Sequence, residues 1–164
     1  MPRGKLGLMT NRDPINPTDN EARKVAQGLL ADLRFGAIAV THPDAQTPYA
    51  ARIAMLWHEG LLLTLISTLS LHTKALQASP QCAALVGEPA DKGDPLTHPR
   101  MTLMCEAIAV DKAAHKIAWL NAIPKAKLYY DFSDFQMYRL NIKEAHLNGG
   151  FGKAYRLNAD DLTL

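Results

Sequence analysis

The sequence predicts a mainly β fold with flanking helices, and three features predict it. Tyr49, Ala51, Ile53, Met55 and Trp57 alternate with Ala50, Arg52, Ala54 and Leu56, the period-two pattern of a strand that buries one face. Short connections at His42–Pro48 and His58–Gly60 turn the chain back twice and make an antiparallel meander of three strands. Farther on, Gln81–Glu88, Arg100–Asp111, Phe135–Lys143 and Ala145–Phe151 read as further strands set off by turn and helix signals. At 164 residues the chain is expected to be a single domain, 1–164, in which residues 1–17 form an N-terminal arm.

In chain order, Leu6, Leu8 and Met9 of the arm are apolar among turn formers and are expected to pack on a partner. Thr18 and Glu21 have the spacing of a capping box, and Ala22, Val25, Ala26, Leu29, Leu30 and Leu33 then share one helical face. That helix ends near Phe35-Gly36, and Gly36–Thr41, Tyr49–Trp57 and the leucine-rich Leu61–Ile66 are the meander strands. A short helix follows and stops at Pro80, and Pro89–Pro99 is an exposed loop by its Pro, Asp and Gly content. Asp111 is placed to cap a helix with Ala114, Ile117, Ala118 and Ile123 on its apolar face, and Trp119 and Leu120 beside them. Pro124 interrupts it, and a shorter helical piece continues to Asp131. In the last strands a change of phase near Met137 and Tyr138 predicts a bulge.

Composition excludes several classes. Apolar residues make up 48% and charged residues 21%, and the net charge of +2 is spread without a long basic face, so no nucleic-acid partner is expected. No stretch has the length and apolarity of a membrane span, and the N-terminus lacks a signal-peptide core, so a cytoplasmic protein without a membrane role is expected. Cys82 and Cys105 lie in apolar runs and form no CxxC, which predicts two buried thiols and no metal site.

The stretch Leu65–Leu76, LISTLSLHTKAL, carries the clearest chemistry. It reads as a strand end, a hydroxyl-rich turn and a helix start. Ser67, Thr68 and Ser70 precede His72, Thr73 and Lys74, and Ser70 is placed to cap the helix whose first N–H groups lie near His72 and Thr73. Hydroxyls, a helix N-terminus and the Lys74 charge together suit a phosphate monoester, although a capped helix with a solvated Lys has the same pattern. Arg52 stands between Ala50 and Ala54 on its own face, where small neighbours leave a guanidinium room to grip an anion; the alternative is an edge-strand Arg lying over apolar surface. LNGGFGKAYRL sets three glycines around Phe151, which by itself means a sheet bulge or a close backbone approach.

The order of these motifs resembles the pyridoxamine 5'-phosphate oxidase-like family of FMN-binding split barrels, nearest its bacterial heme-utilisation branch. The shared words are Ser67 to Lys74 (STLSLHTK), Asp94-Pro95-Leu96 to Leu103, and Asp134-Phe135 to Ala154, and the likeness spans Ala31 to Leu157. The resemblance implies a six-stranded antiparallel split β-barrel that is dimeric, with FMN in grooves between protomers. By matching position, Arg52 and Lys74 would hold the phosphate with His72 and Thr73 helping, and Ser67 would make a phosphate or ribityl contact. Ile53 beside Arg52, Arg100 and Met101 at a strand start, and Gly150 and Phe151 would line the rest of the cofactor groove. Cys105 stands where a small Gly is usual in the family. No His follows Gly152, where heme-degrading relatives carry an iron-ligating histidine in a C-terminal extension; a heme role here would need another ligand, such as His42, His58, His98 or His146.

The expected function is therefore that of an FMN flavoprotein, an oxidoreductase acting on a small molecule as a homodimer. The alternatives are a heme-binding or heme-handling protein on the same scaffold, and a cofactor-free dimeric module. No residue is singled out as catalytic.

Overall fold

The computed structural model describes residues 13–163, so the packing expected of Leu6, Leu8 and Met9 lies outside the described residues. The first helix, α1 (Asn20–Ala31), is capped by Asp19, whose carboxylate accepts the Ala22 N–H at 2.8 Å. The expected cap, Thr18, instead donates its hydroxyl to Arg156 O. Asp supplies the stronger acceptor, and a one-residue shift brings it into place without disturbing the apolar face. Ala22, Ala26, Leu30 and Leu33 are buried, while Val25 falls on the rim.

The described residues form nine strands: β1 (Ile15–Asn16), β2 (Phe35–Thr41), β3 (Pro48–Ala54), β4 (Leu56–His58), β5 (Leu61–Ser67), β6 (Gln81–Val86), β7 (Arg100–Val110), β8 (Phe135–Asn148) and β9 (Ala154–Leu157). The ladder runs β1-β9-β8-β7-β6-β2-β3, with β5 paired to β8 and β4 to β5. All pairings are antiparallel except β1 with β9, so the sheet is mixed and its strand count exceeds the expected six. Of the short strands, β1 and β9 are too brief to show a hydrophobic period in the sequence and β4 is the end of the expected Tyr49–Trp57 strand, while β8 joins the expected Phe135–Lys143 and Ala145–Phe151 strands into one that ends at Asn148. Met55 divides the expected Tyr49–Trp57 strand into β3 and β4, and the sheet is not closed between β3 and β5. The Glu59-Gly60 turn into β5 has both residues at positive φ, the backbone of a tight hairpin.

Two clusters hold the fold. The larger lies inside the curved sheet and joins α1 to Ile38, Ile53, Ala84, Met101, Leu103, Leu140 and Leu147. The smaller packs Leu56, Leu63, Leu65 and Met137 against Trp119 of the third helix. β5 therefore buries both of its faces, which is why its sequence is a continuous apolar run instead of an alternating one. The same division places Leu56 in a core, opposite to the solvent-side face that strict alternation assigns it. It also explains the phase change in β8: Met137 enters the small cluster and Tyr138 the large one, with no bulge between them. The register shift lies farther along, between Met104 and Cys105, where Lys143 of β8 has no ladder partner.

The second helix, α2 (Leu71–Ala78), packs on β2 and β3. Asp111 caps a 3-10 turn, Lys112–His115, that leads into α3 (Lys116–Ala122). The face of α3 differs from the one expected: Trp119 is fully buried and Ile117 is 79% exposed, because the 3-10 turn rotates the helix that follows it. Lys112 Nζ fastens the segment after α3 by donating to the carbonyls of Tyr130, Phe132 and Phe135, each at 2.8 Å. Cys82 and Cys105 are both buried free thiols, directly opposite each other on β6 and β7. Burial raises the Cys82 thiol pKa to about 11, and that of Cys105 rises further with the same cause. No described helix is long and apolar enough to cross a membrane.

Candidate functional site

The Ser67–Lys74 turn forms where β5 ends and α2 begins. Ser67 Oγ donates to Asp134 Oδ2 at 2.6 Å and accepts the Leu69 N–H, and the buried Thr73 hydroxyl donates to Ser67 O at 2.6 Å. These bonds tie the turn to the start of β8, where Thr68 N donates to Asp134 O. Ser70 occupies the cap position of α2 without a side-chain capping bond. His72 is half-buried, and burial holds its pKa below the ordinary imidazole value. Lys74 is exposed on the adjacent turn of the helix.

Arg52 lies on the outer side of β3, with its guanidinium carbon 5.8 Å from the centre of the Phe35 ring. It lines a hollow with Phe35, Ala37, Leu85, Glu88 and Pro89, and Lys74 does not line that hollow. Ile53, its neighbour in sequence, points into the large core. Pairing between strands extends the position of Arg52 across the sheet: Arg52 is opposite Ala37, Ala37 opposite Leu85, Leu85 opposite Thr102, Thr102 opposite His146, and His146 opposite Arg156. Residues paired across a ladder share a face. A second outward row runs beside it through Ala50, Ala39, Ala83, Met104 and Glu144. The two rows make a floor of small and apolar side chains, with Leu85 49% and Met104 44% exposed. Four strand spacings, roughly 19 Å, separate Arg52 at one end from His146 at the other.

Arg100, Gly150 and Phe151 meet at the far end of this face. They line a hollow of about 550 Å³ with Asn16, Leu96 and Lys153. Arg100 donates to Leu96 O at 2.7 Å, which holds the Pro89–Pro99 loop to the strand start. Gly150 and Gly152 take φ values of +120° and +69°, the positive-φ turn that the GGFG word implies, and Phe151 projects outward. Met101 is fully buried, so its side chain serves the core. An adjoining hollow brings Arg100 together with Leu85, Thr102, His146, Asn148 and Tyr155. Within the chain the expected site residues thus form two groups, one around α2 and one around Arg100, with Arg52 beside Phe35.

No family model matches the sequence. The chain is 35% identical over 101 residues to the chloroplastic non-canonical heme oxygenase HOZ of Arabidopsis thaliana, a match that covers 59% of this chain and 30% of the relative. A heme-binding protein from Mycobacterium smegmatis superposes with a TM-score of 0.79 at 24% identity, over 91% of this chain and 61% of that one. A protein related to general stress protein 26, of the pyridoxinephosphate oxidase family, from Clostridium acetobutylicum superposes with a TM-score of 0.69 at 12% identity, over 88% and 99% of the two chains. The chain shares the fold of these two structures. This split-barrel protein spans less than two thirds of the length of the first two relatives.

Sequence reasoning passed over Glu144 and Arg156. Both sit beside His146: Glu144 Oε1 lies 2.8 Å from His146 Nε2 and 2.9 Å from Arg156 Nε. Glu144 and His146, two apart on one strand, were visible as a same-face pair, whereas Arg156 belongs to the four-residue β9 and had no signal.

Proposed function

We propose that this split-barrel protein binds and handles heme as a cytoplasmic homodimer, with the tetrapyrrole on the outer face of the sheet. The observation that carries the reading is the pair of outward rows between Arg52 and His146. A flat, apolar ligand needs a floor without projecting polar groups, and Ala37, Ala39, Ala50, Ala83, Leu85 and Met104 supply one. Its carboxylates need cations at the margin, and Arg52, Arg100 and Arg156 stand there. Exposed apolar area of this kind is also what a second copy of the chain would cover, so the ligand and the partner would exclude water together. Bound heme would supply the iron chemistry; the chain's part is to seat the ring, offset its charge and keep water away. The heme names of its relatives support the same reading.

The test is a titration of purified protein with hemin, followed by absorbance and by sedimentation. A saturable Soret shift at one heme per protomer in a dimer supports the reading. An unchanged hemin spectrum rejects it.

The second reading is an FMN-dependent oxidoreductase on an undetermined small substrate. It is favoured by α2 packing on β3, which brings the elements carrying Lys74 and Arg52 side by side. The Ser67 and Thr73 hydroxyls are engaged within the protein, so a phosphate would depend on Arg52, Lys74 and the backbone N–H groups opening α2. Under this reading Arg52→Ala and Lys74→Ala each weaken FMN binding by about 1.5–3 kcal/mol. Equal affinity in wild type and both variants would dispose of it.

A further inference from the structure

We infer that the layer formed by α3 and the turn after it is a peripheral contact surface for an anionic lipid bilayer, with Ile117 and Leu128 dipping into the lipid and Lys125 and Lys127 meeting the headgroups. This departs from the expectation of no membrane role, which rested on the lack of a spanning stretch; a surface contact needs no span.

The charge of the layer is one-sided. Between Asp111 and Asp131 the chain has no acidic residue, whereas Lys112, Lys116, Lys125 and Lys127 all fall in that interval. The four lysines differ in how they are used. Lys112 Nζ is occupied by three carbonyls, and Lys116 Nζ pairs with Asp131 at 2.8 Å. Lys125 and Lys127, on the 3-10 turn Pro124–Leu128, are exposed and enter no ion pair among the described residues. They are the cations left to meet an outside anion.

The apolar tips stand beside them. Trp119 of α3 and Ala126 of the following turn are buried with Leu56, Leu63, Leu65 and Met137, which fixes the inward side of the layer. Ile117 and Leu128 are each two residues from one of those anchors, just over half a helical turn, and so face away from the core. They are 79% and 81% exposed. Phe132 is exposed on the next turn, and Leu69 on the turn that the Thr68 N–H fastens to Asp134 O. Side chains that stand so clear of their neighbours suit a fluid acyl layer, which asks for no matching shape; a protein partner needs a continuous complementary surface. Lysine stems beside such tips carry their charge up to headgroup level. The layer covers β4, β5 and the start of β8, whereas the floor lies over β3, β2, β6 and β7. Both surfaces can be occupied at once, and the lipid contact does not rest on which ligand the floor takes.

The experiment is co-sedimentation of the full chain with phosphatidylcholine vesicles prepared with and without phosphatidylglycerol, at low and high salt. The wild type is expected to bind the anionic vesicles and to be released by salt. Lys125→Glu/Lys127→Glu is expected to bind about thirtyfold more weakly, since a lysine near an anionic surface is worth about fivefold. Ile117→Ser/Leu128→Ser is expected to lose binding as well, while Lys24→Glu/Lys92→Glu, with the same change of net charge elsewhere on the surface, binds as the wild type does. Melting and sedimentation of each variant accompany the assay; should the serine variant fail to fold, the two lysine variants decide. A wild type that ignores anionic vesicles overturns the inference, as does equal binding by the two lysine variants. A serine variant that folds but becomes monomeric shows a second copy of the chain on this patch and overturns it too.

Discussion

At the Ser67–Lys74 turn, the Ser67 and Thr73 hydroxyls are bonded within the protein; on the outer face of the sheet polar side chains stand at the surface in register. Ser67 and Thr73 are bonded to Asp134 and to the backbone, and the turn they build fixes the start of α2 against β8. Arg52 and His146 instead bracket an apolar floor. A hydroxyl-rich turn thus has two uses that look alike in sequence, and only the partners of each oxygen tell a structural turn from a binding one.

The comparison is broken most severely by a charge in the floor. Ala39→Glu is expected to abolish dimerisation and cut heme uptake by about a hundredfold, since covering an unpaired carboxylate costs at least about 3 kcal/mol. Sedimentation with a hemin titration reads both; an unchanged dimer would mean that the outer face is not the covered one. Next in size, Arg52→Ala is expected to weaken heme binding by about 1.5–3 kcal/mol, the value of a charge-assisted contact. Thr73→Val is expected to cost about 1 kcal/mol of stability in urea, because the Ser67 carbonyl keeps the Ser70 N–H but loses the Thr73 hydroxyl, and to leave heme affinity where it was. If the valine variant instead weakens binding as much as Arg52→Ala, the turn is the binding region after all.

The smallest effect is at the rim. Hydrogen bonds donated to its carboxylate by Arg23 and by the Asn158 N–H hold the Asp161 pKa below the ordinary carboxylate value. A depressed folded pKa contributes stability that is fully present above the unfolded value, about 3.9, and is lost as pH falls through the lower folded one. Arg23→Ala is therefore expected to reduce stability near neutral pH and to flatten its acid limb, with hemin affinity unaltered. Melting curves between pH 2 and 6 check it.

Much of this was legible because it rests on local patterns. The β-rich class, the helix face of Ala22, Ala26, Leu30 and Leu33, the strand from Arg100, the buried thiols and the positive-φ GGFG turn all follow from periodicity or from backbone sterics. Less was legible where two faces of one element are used. Leu56, Met137 and Trp119 were misassigned by a one-core reading, because a second cluster covers the far side of β5. The bulge was expected at Met137 for the same reason, whereas the register shifts opposite Lys143. Short strands such as β9 carry no period at all, and Arg156 went unnoticed with it.

What the amino-acid sequence determined by itself was the identity and spacing of the reactive groups: Arg52 between alanines, His146 two residues past Glu144, hydroxyls ahead of a helix. Those depend on neighbours a few residues away. The tertiary structure alone decided which of them share a face, since Arg52 and His146 are aligned by hydrogen-bond register across five strands, and register is a relation between distant segments that no local window contains.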